Sequence, residues 1–251
     1  MKNFIITGAS KGLGEGIALS LINPDHHLVS ISRTKSEQLE NLSREKKCQI
    51  DFLYFDLSIT NKIDLLMKNA LSRFDKYKSE GFYLINNAGV INPVGPAEEC
   101  HSQEIEDHVK INLIAAMITT AKFIKLTEGL KTVKRVVNIS SGAAQFPYYG
   151  WSSYCTSKAG LDMFTKCIAT EQQNKQYPVE IMSVAPGIID TNMQETIRKV
   201  PENKFIHRNK FIEYKEKGLL VPPLEAGRKI KELLMSDKFQ SGEITDLRNN
   251  L

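Results

Sequence analysis

The chain has 251 residues, 41% of them hydrophobic and 25% charged, a balance that fits one well-buried α/β domain and excludes low-complexity and fibrous classes. A formal net charge of +4, with Lys and Arg spread along the chain and only modestly concentrated at 198–217, describes a solvated surface and argues against nucleic-acid binding. No apolar run approaches the ~20 residues of a membrane span, and the N-terminus enters a strand pattern at Lys2–Thr7 with no room for a signal peptide, so a cytoplasmic protein is expected.

Apolar runs of strand length alternate with amphipathic segments of helix length. Phe4-Ile5-Ile6-Thr7 reads as the first strand and Leu13–Ile22 as the helix after it. His27–Ser32 is a second strand, Lys35–Lys46 a polar helix and Asp51–Phe55 a third strand ending at Asp56. Lys62–Tyr77 has helical spacing, Phe82–Asn86 is a fourth strand, and Glu104–Thr127 is a long helix before the apolar strand Arg135–Ile139. Another helix covers Ser153–Gln173, with strands at Glu180–Ala185 and Gly242–Leu247 on either side of a helix at Glu225–Met235. No linker or internal repeat divides this series. The expected fold is a single Rossmann-type, doubly wound parallel sheet over residues 1–251, with helices on both faces. Residues 188–220 lack sustained periodicity and read as a partly helical lid, its basic residues facing solvent. Such sheets bind ligands beyond the carboxyl ends of their strands, and the chemically suggestive residues fall there.

After the first strand comes Thr7-Gly8-Ala9-Ser10-Lys11-Gly12-Leu13-Gly14. Glycines at such a turn admit a pyrophosphate close to the backbone, and the following helix N-terminus offers free N–H groups to it. The second strand ends in Ile31-Ser32-Arg33-Thr34, without the acidic residue that would bind adenosine ribose hydroxyls and repel a 2′-phosphate. Arg33 and Lys11 instead suit a phosphate, which points to NADPH over NADH. Asp56 is placed to accept from the adenine amino group, and Asn86-Asn87-Ala88-Gly89 to approach a ribose.

Tyr154 and Lys158 are four residues apart, so both side chains share one helix face. A phenol with a pKa near ~10 is a poor acid at neutral pH, and a neighbouring ammonium is expected to lower it. Ser141, just past the fifth strand, would hold a substrate carbonyl oxygen. Phe146, Tyr148, Tyr149 and Trp151 lie between Ser141 and Tyr154 and would line an apolar pocket for an aryl or other bulky ketone, with Met193 of the lid and Ser140. Cys48, Cys100, Cys155 and Cys167 show no metal spacing, nor do the five histidines, so reduced thiols and no metal are expected, and Asp162 is read as structural.

With these residues in this order, the chain resembles the short-chain dehydrogenase/reductase family along essentially its full length. The resemblance implies that Tyr154 is the general acid, that Lys158 binds the nicotinamide ribose and tunes Tyr154, and that Ser141 positions the carbonyl. It further implies that Asn112 kinks its helix and holds a water in a proton relay, and that Pro186, Gly187, Ile188, Ile189 and Thr191 serve the nicotinamide end. Within the family, Asn138–Ala144, Pro147–Trp151, Tyr154-Cys155-Thr156 and Ala185–Gln194 are similar to the bacterial reductases that convert benzil to (S)-benzoin, themselves similar to sepiapterin reductases. Reduction of a ketone or 1,2-diketone is the activity so implied. A pteridine-type or a 3-oxoacyl-carrier-protein reductase is the alternative within the class, and a non-catalytic NADPH-binding sensor is the alternative outside it. Family members associate through the two long central helices, so a homodimer or homotetramer is expected.

Overall fold

The computed structural model describes residues 1–248. Seven strands, β1 (Lys2–Thr7), β2 (His26–Ser32), β3 (Gln49–Tyr54), β4 (Gly81–Asn86), β5 (Val133–Ile139), β6 (Glu180–Ala185) and β7 (Ile244–Asp246), form one sheet in the order β3-β2-β1-β4-β5-β6-β7. Every pairing is parallel, with Ile6 beside Ser30 on one edge of β1 and Ile85 on the other.

Successive strand residues point to opposite faces, and both faces are apolar. Phe4 and Ile6 pack with Leu28, Ile85 and Val184 beneath α1 (Gly12–Ser20), α2 (Glu37–Glu45) and α9 (Pro223–Met235). Ile5 turns the other way, with Val29, Leu84 and Ile181, under α3 (Ile63–Ser72), α5 (Ala115–Leu126) and α6 (Ser152–Gln172). Phe4, Ile5 and Ile6 are fully buried, a burial that stabilises by about 2 kcal/mol per side chain. The remaining helices are α4 (Ser102–Val109), α7 (Asn192–Lys199) and α8 (Arg208–Glu216), the last two making residues 188–220 partly helical as expected. Among the described residues no helix is long and apolar enough to cross a membrane.

The expected helix over 104–127 is interrupted. A π-turn at Lys110–Ile114 separates α4 from α5, and Asn112 sits at its centre, bonded through its side chain to the chain after β4. The helix expected over 35–46 starts at Glu37 because the Ser36 hydroxyl accepts from the Leu39 amide at 3.0 Å. The helix expected over 62–77 stops at Ser72, and the Asp75 carboxylate closes a turn on the Tyr77 amide at 3.0 Å.

α1 and α9 cross at glycines. A Cβ on Gly16 would lie 2.1 Å from the Pro223 carbonyl oxygen, and one on Gly227 would lie 2.3 Å from that of Gly16, so the two backbones touch. Ser20 and Lys231 stitch the crossing with hydrogen bonds to the Gly227 and Ser20 carbonyls, at 3.2 and 3.0 Å.

Candidate active site

The sheet order reverses between β1 and β4, which opens a crevice at the carboxyl ends of these strands. Thr7 closes β1, and its hydroxyl accepts the amides of Asn87 (3.0 Å) and Ala88 (3.1 Å). The Asn87 carboxamide answers by donating to the carbonyls of Thr7 (3.0 Å) and Gly8 (3.2 Å), locking the two strand ends together. Gly8 has a φ of 69°, a left-handed backbone that favours glycine, and a Cβ on Gly14 would sit 2.2 Å from the Gly8 oxygen. Lys11 precedes α1 without capping it, which leaves first-turn N–H groups for a ligand.

The side chain of Asn86 faces inward. It donates to Thr120 and Asn138 (2.9 Å each) and accepts from Thr119 (2.8 Å), joining β4, β5 and α5 in a buried polar network whose members are all paired. The alternation along β4 sends Asn86 to the interior and leaves Asn87 at the crevice.

One cavity of about 500 Å³ runs along the crevice. Gly8, Ser10, Lys11, Gly12, Leu13 and Gly14 line one end, with Arg33 and Asp56 beyond them. The Thr34 hydroxyl donates to that of Ser10 at 3.2 Å, tying the end of β2 to the glycine turn. The Asp56 carboxylate accepts the Ser58 amide at 2.9 Å and is held below its ordinary range, chiefly by that bond and further by the nearby Arg33 charge. Asn87, Ala88 and Gly89 line the middle, and Pro186, Gly187, Ile189 and Thr191 face them from the segment after β6.

At the far end Ser140, Ser141, Tyr154 and Lys158 meet. The Lys158 ammonium donates to the Ile139 carbonyl at 2.8 Å and lies 5.8 Å from the centre of the Tyr154 ring. Burial lowers Lys158 to about 8, with Asp162 opposing, and Asp162 itself accepts from the Ser183 hydroxyl at 2.6 Å. Tyr154 departs from the expectation that its phenol is acidified. Its pKa is raised, because burial of the ring outweighs the Ser141 hydroxyl bonded to it. Spacing shows that Tyr154 and Lys158 share a face; only the fold shows how little water reaches them.

Asn112 lies one layer beneath, 1% exposed. Its Oδ1 accepts the Val90 amide and its Nδ2 donates to the Val90 carbonyl, both at 2.8 Å, while Nδ2 also reaches His108 Nε2 at 3.0 Å. His108 was not singled out by spacing, although it stands four residues before Asn112 and therefore on its face.

Tyr148, Trp151 and Met193 line the cavity, whereas Phe146 and Tyr149 do not: they are 63% and 46% exposed. The loop is pinned where the Gly150 carbonyl accepts the Gly95 amide at 2.9 Å, and only Tyr148 and Trp151 reach the cavity. Trp151 stacks on Phe205 (4.5 Å between ring centres) and meets the rings of Tyr154 and Phe211 edge-on, each at 5.4 Å. Residues 188–220 thus share an aromatic cluster with Tyr154. Lys210, Phe211, Tyr214 and Arg248 complete this wall, and none was legible as a site residue from periodicity.

A doubly wound parallel sheet with a glycine turn at its switch point and a Ser–Tyr–Lys group at the same strand ends defines a class of dinucleotide-linked oxidoreductases. A family model described as short chain dehydrogenase matches residues 2–202, and the chain belongs to that family, whose cofactor is NAD or NADP. Over 244 residues it is 41% identical to a benzil reductase ((S)-benzoin forming) of Bacillus cereus, covering 97% of this chain and 98% of that protein. It is also 30% identical to the sepiapterin reductase of Xenopus laevis, covering 96% and 94% of the two chains. A 3-oxoacyl-[acyl-carrier protein] reductase from Brucella melitensis in complex with NAD superposes with a TM-score of 0.82 at 22% identity, over 98% of this chain and 95% of that one, a likeness of fold.

Proposed function

We propose that the protein is an NADPH-dependent carbonyl reductase that converts a benzil-like 1,2-diketone, or a comparable bulky ketone, to a hydroxy ketone. The observation that carries this reading is the meeting of Ser141, Tyr154 and Lys158 with the rings of Tyr148 and Trp151 at one end of the cavity. The likeness to the Bacillus cereus benzil reductase supports the same substrate class.

The residues fit a dinucleotide. The uncapped start of α1 and the close-packed Gly8–Gly14 turn suit a pyrophosphate, and Arg33 with Lys11 would take a 2′-phosphate where no carboxylate ends β2. Asp56 is assigned to the adenine, Asn87, Ala88 and Gly89 to a ribose, and Pro186, Gly187, Ile189 and Thr191 to the nicotinamide end. When bound, NADPH supplies the hydride.

Ser141 holds the substrate carbonyl oxygen, and Tyr154 delivers a proton to that oxygen as charge develops on it. Tyr154 is protonated at neutral pH, but burial raises its pKa and so opposes loss of the proton, a cost that a neighbouring positive charge has to offset. Lys158, fixed on the Ile139 carbonyl, holds a positive charge beside the phenol and steadies the phenolate that donation leaves behind. Asn112 supports this group from below through the π-turn, as part of a relay that returns the proton. Tyr148, Trp151 and Met193 hold the apolar body of the substrate, and residues 188–220 act as the lid that excludes water. We further read the enzyme as a cytoplasmic homodimer or homotetramer joined through α5 and α6.

The test is NADPH oxidation with benzil, 1-phenyl-1,2-propanedione, sepiapterin and an acetoacetyl thioester, repeated with NADH. Oxidation with an aryl diketone is expected, and Tyr154→Phe should lower kcat by about 10²-fold or more by removing the acid. Turnover of sepiapterin alone would keep the chemistry and replace the substrate. Tight NADPH binding without any turnover would overturn the reductase reading.

A further inference from the structure

The lid carries many basic residues, and most are already neutralised. Lys199 pairs with Glu195, Lys204 with Glu99, Arg208 with Glu202, Lys215 with Asp190 and Lys217 with Glu213. Arg198 and Lys210 differ, and of the two only Lys210 lines the cavity. Among the described residues no carboxylate lies within ion-pair distance of Lys210, and Glu213, whose charge reaches it, is paired with Lys217. The Lys210 ammonium instead sits 5.8 Å from the centre of the Tyr214 ring, and contact with that phenol raises its pKa.

Arg248 reaches the same place from the end of the sheet. Its Nε and Nη2 are held by Asp246, at 2.9 and 2.5 Å, and the charge lies within electrostatic range of Tyr148 and Tyr214, which line the cavity together with Lys210. The only acidic side chain lining the cavity, among the described residues, is Asp56, at the opposite end beside Arg33. The two ends therefore carry separate positive charge. Lys11 and Arg33 are accounted for by a dinucleotide, whereas nothing in the reduction of a neutral diketone requires Lys210.

We propose that Lys210, with the phenols of Tyr148 and Tyr214, forms an anion subsite at the substrate end of the cavity, and that the preferred ketone carries a carboxylate on the part of the molecule remote from the reacting carbonyl. The phenols suit this role. A hydroxyl that accepts from an ammonium still has its own proton to donate, so each donor can converge on one carboxylate. A single ammonium supported by neutral donors matches a monoanion. The rings of Trp151, Phe211 and Tyr148 then hold the apolar body between the carboxylate and Ser141–Tyr154.

The subsite rests on the reductase reading for the direction in which the substrate lies, and the test separates the two. Benzil, 4-carboxybenzil and the matching 4-carboxamide would be compared with NADPH, in wild type and in Lys210→Met. Binding of the same three compounds to NADP-loaded Tyr154→Phe, with and without Lys210→Met, would be followed through the fluorescence of Trp151, the chain's single tryptophan. A charge-assisted contact should favour the carboxylate over the carboxamide by roughly tenfold or more in kcat/KM and in Kd, and Lys210→Met should bring both ratios close to one. Equal values for carboxylate and carboxamide in wild type, or a preference that survives Lys210→Met, would overturn the subsite while leaving diketone reduction intact. Selective binding of the carboxylate without turnover of any compound would uphold the subsite and overturn the reductase reading.

Discussion

The imidazole of His108 donates from Nδ1 to the Asn92 carbonyl at 2.7 Å, which leaves Nε2 of the neutral ring as an acceptor for the Asn112 amide at 3.0 Å. The Ser157 hydroxyl lies 3.2 Å from the same nitrogen, and the ring packs edge-on against Tyr154 at 6.1 Å. Burial lowers the pKa of His108, and the Lys158 charge lowers it further, so the ring stays neutral and the acceptor is kept. His108 is thus a positioning residue: it adds a third hydrogen bond to the two by which Val90 orients the Asn112 carboxamide. His108→Phe keeps the bulk and removes the acceptor, and kcat should fall about tenfold or more with little change in the KM for NADPH. His108→Gln, which can present a side-chain oxygen to Asn112, should recover much of that loss, and an equal loss in both variants would count against the role. Tyr154 and Lys158 were legible in the sequence because helical period alone puts them on one face. His108 and the raised pKa of Tyr154 were not, since both depend on what the rest of the chain buries around them.

The crossing of α1 and α9 is set by two glycines whose missing side chains let one backbone rest on the other. Gly227→Val would push a side chain into the Gly16 carbonyl and lever apart the helix that begins at the glycine turn. Unfolding in urea should show a loss of about 3 kcal/mol or more, accompanied by weaker NADPH binding, since neither backbone can give way without moving its helix. The boundaries of α1 and α9 were readable to within two or three residues, but their contact was not, because periodicity describes each helix separately. The π-turn at Lys110–Ile114 escaped for a related reason. Apolar spacing runs on through residues 104–127, while the extra residue in the turn answers to hydrogen bonds with Val90, twenty-two residues earlier than Asn112.

The alternation of apolar runs and amphipathic segments was sufficient for the sheet and its helices, since a parallel sheet needs a crossover between neighbouring strands. It was not sufficient for assembly. Met117 on α5 and Met163 on α6 are 38% and 59% exposed, apolar side chains on the two helices through which we read the enzyme as associating. Sedimentation of the wild type should give a dimer or tetramer, and Met163→Glu should shift it toward the monomer by burying a charge at the contact. A wild-type monomer would remove that reading.

The contact between α1 and α9 also has a kinetic side. Ser20 finds its partners 207 and 211 residues further along the chain, so the helix that opens the glycine turn cannot settle until almost everything else has been made. Contacts so distant in sequence close late and at a high entropic cost. A growing chain therefore holds the apolar surface of β1 and α1 without its final cover until α9 has been made.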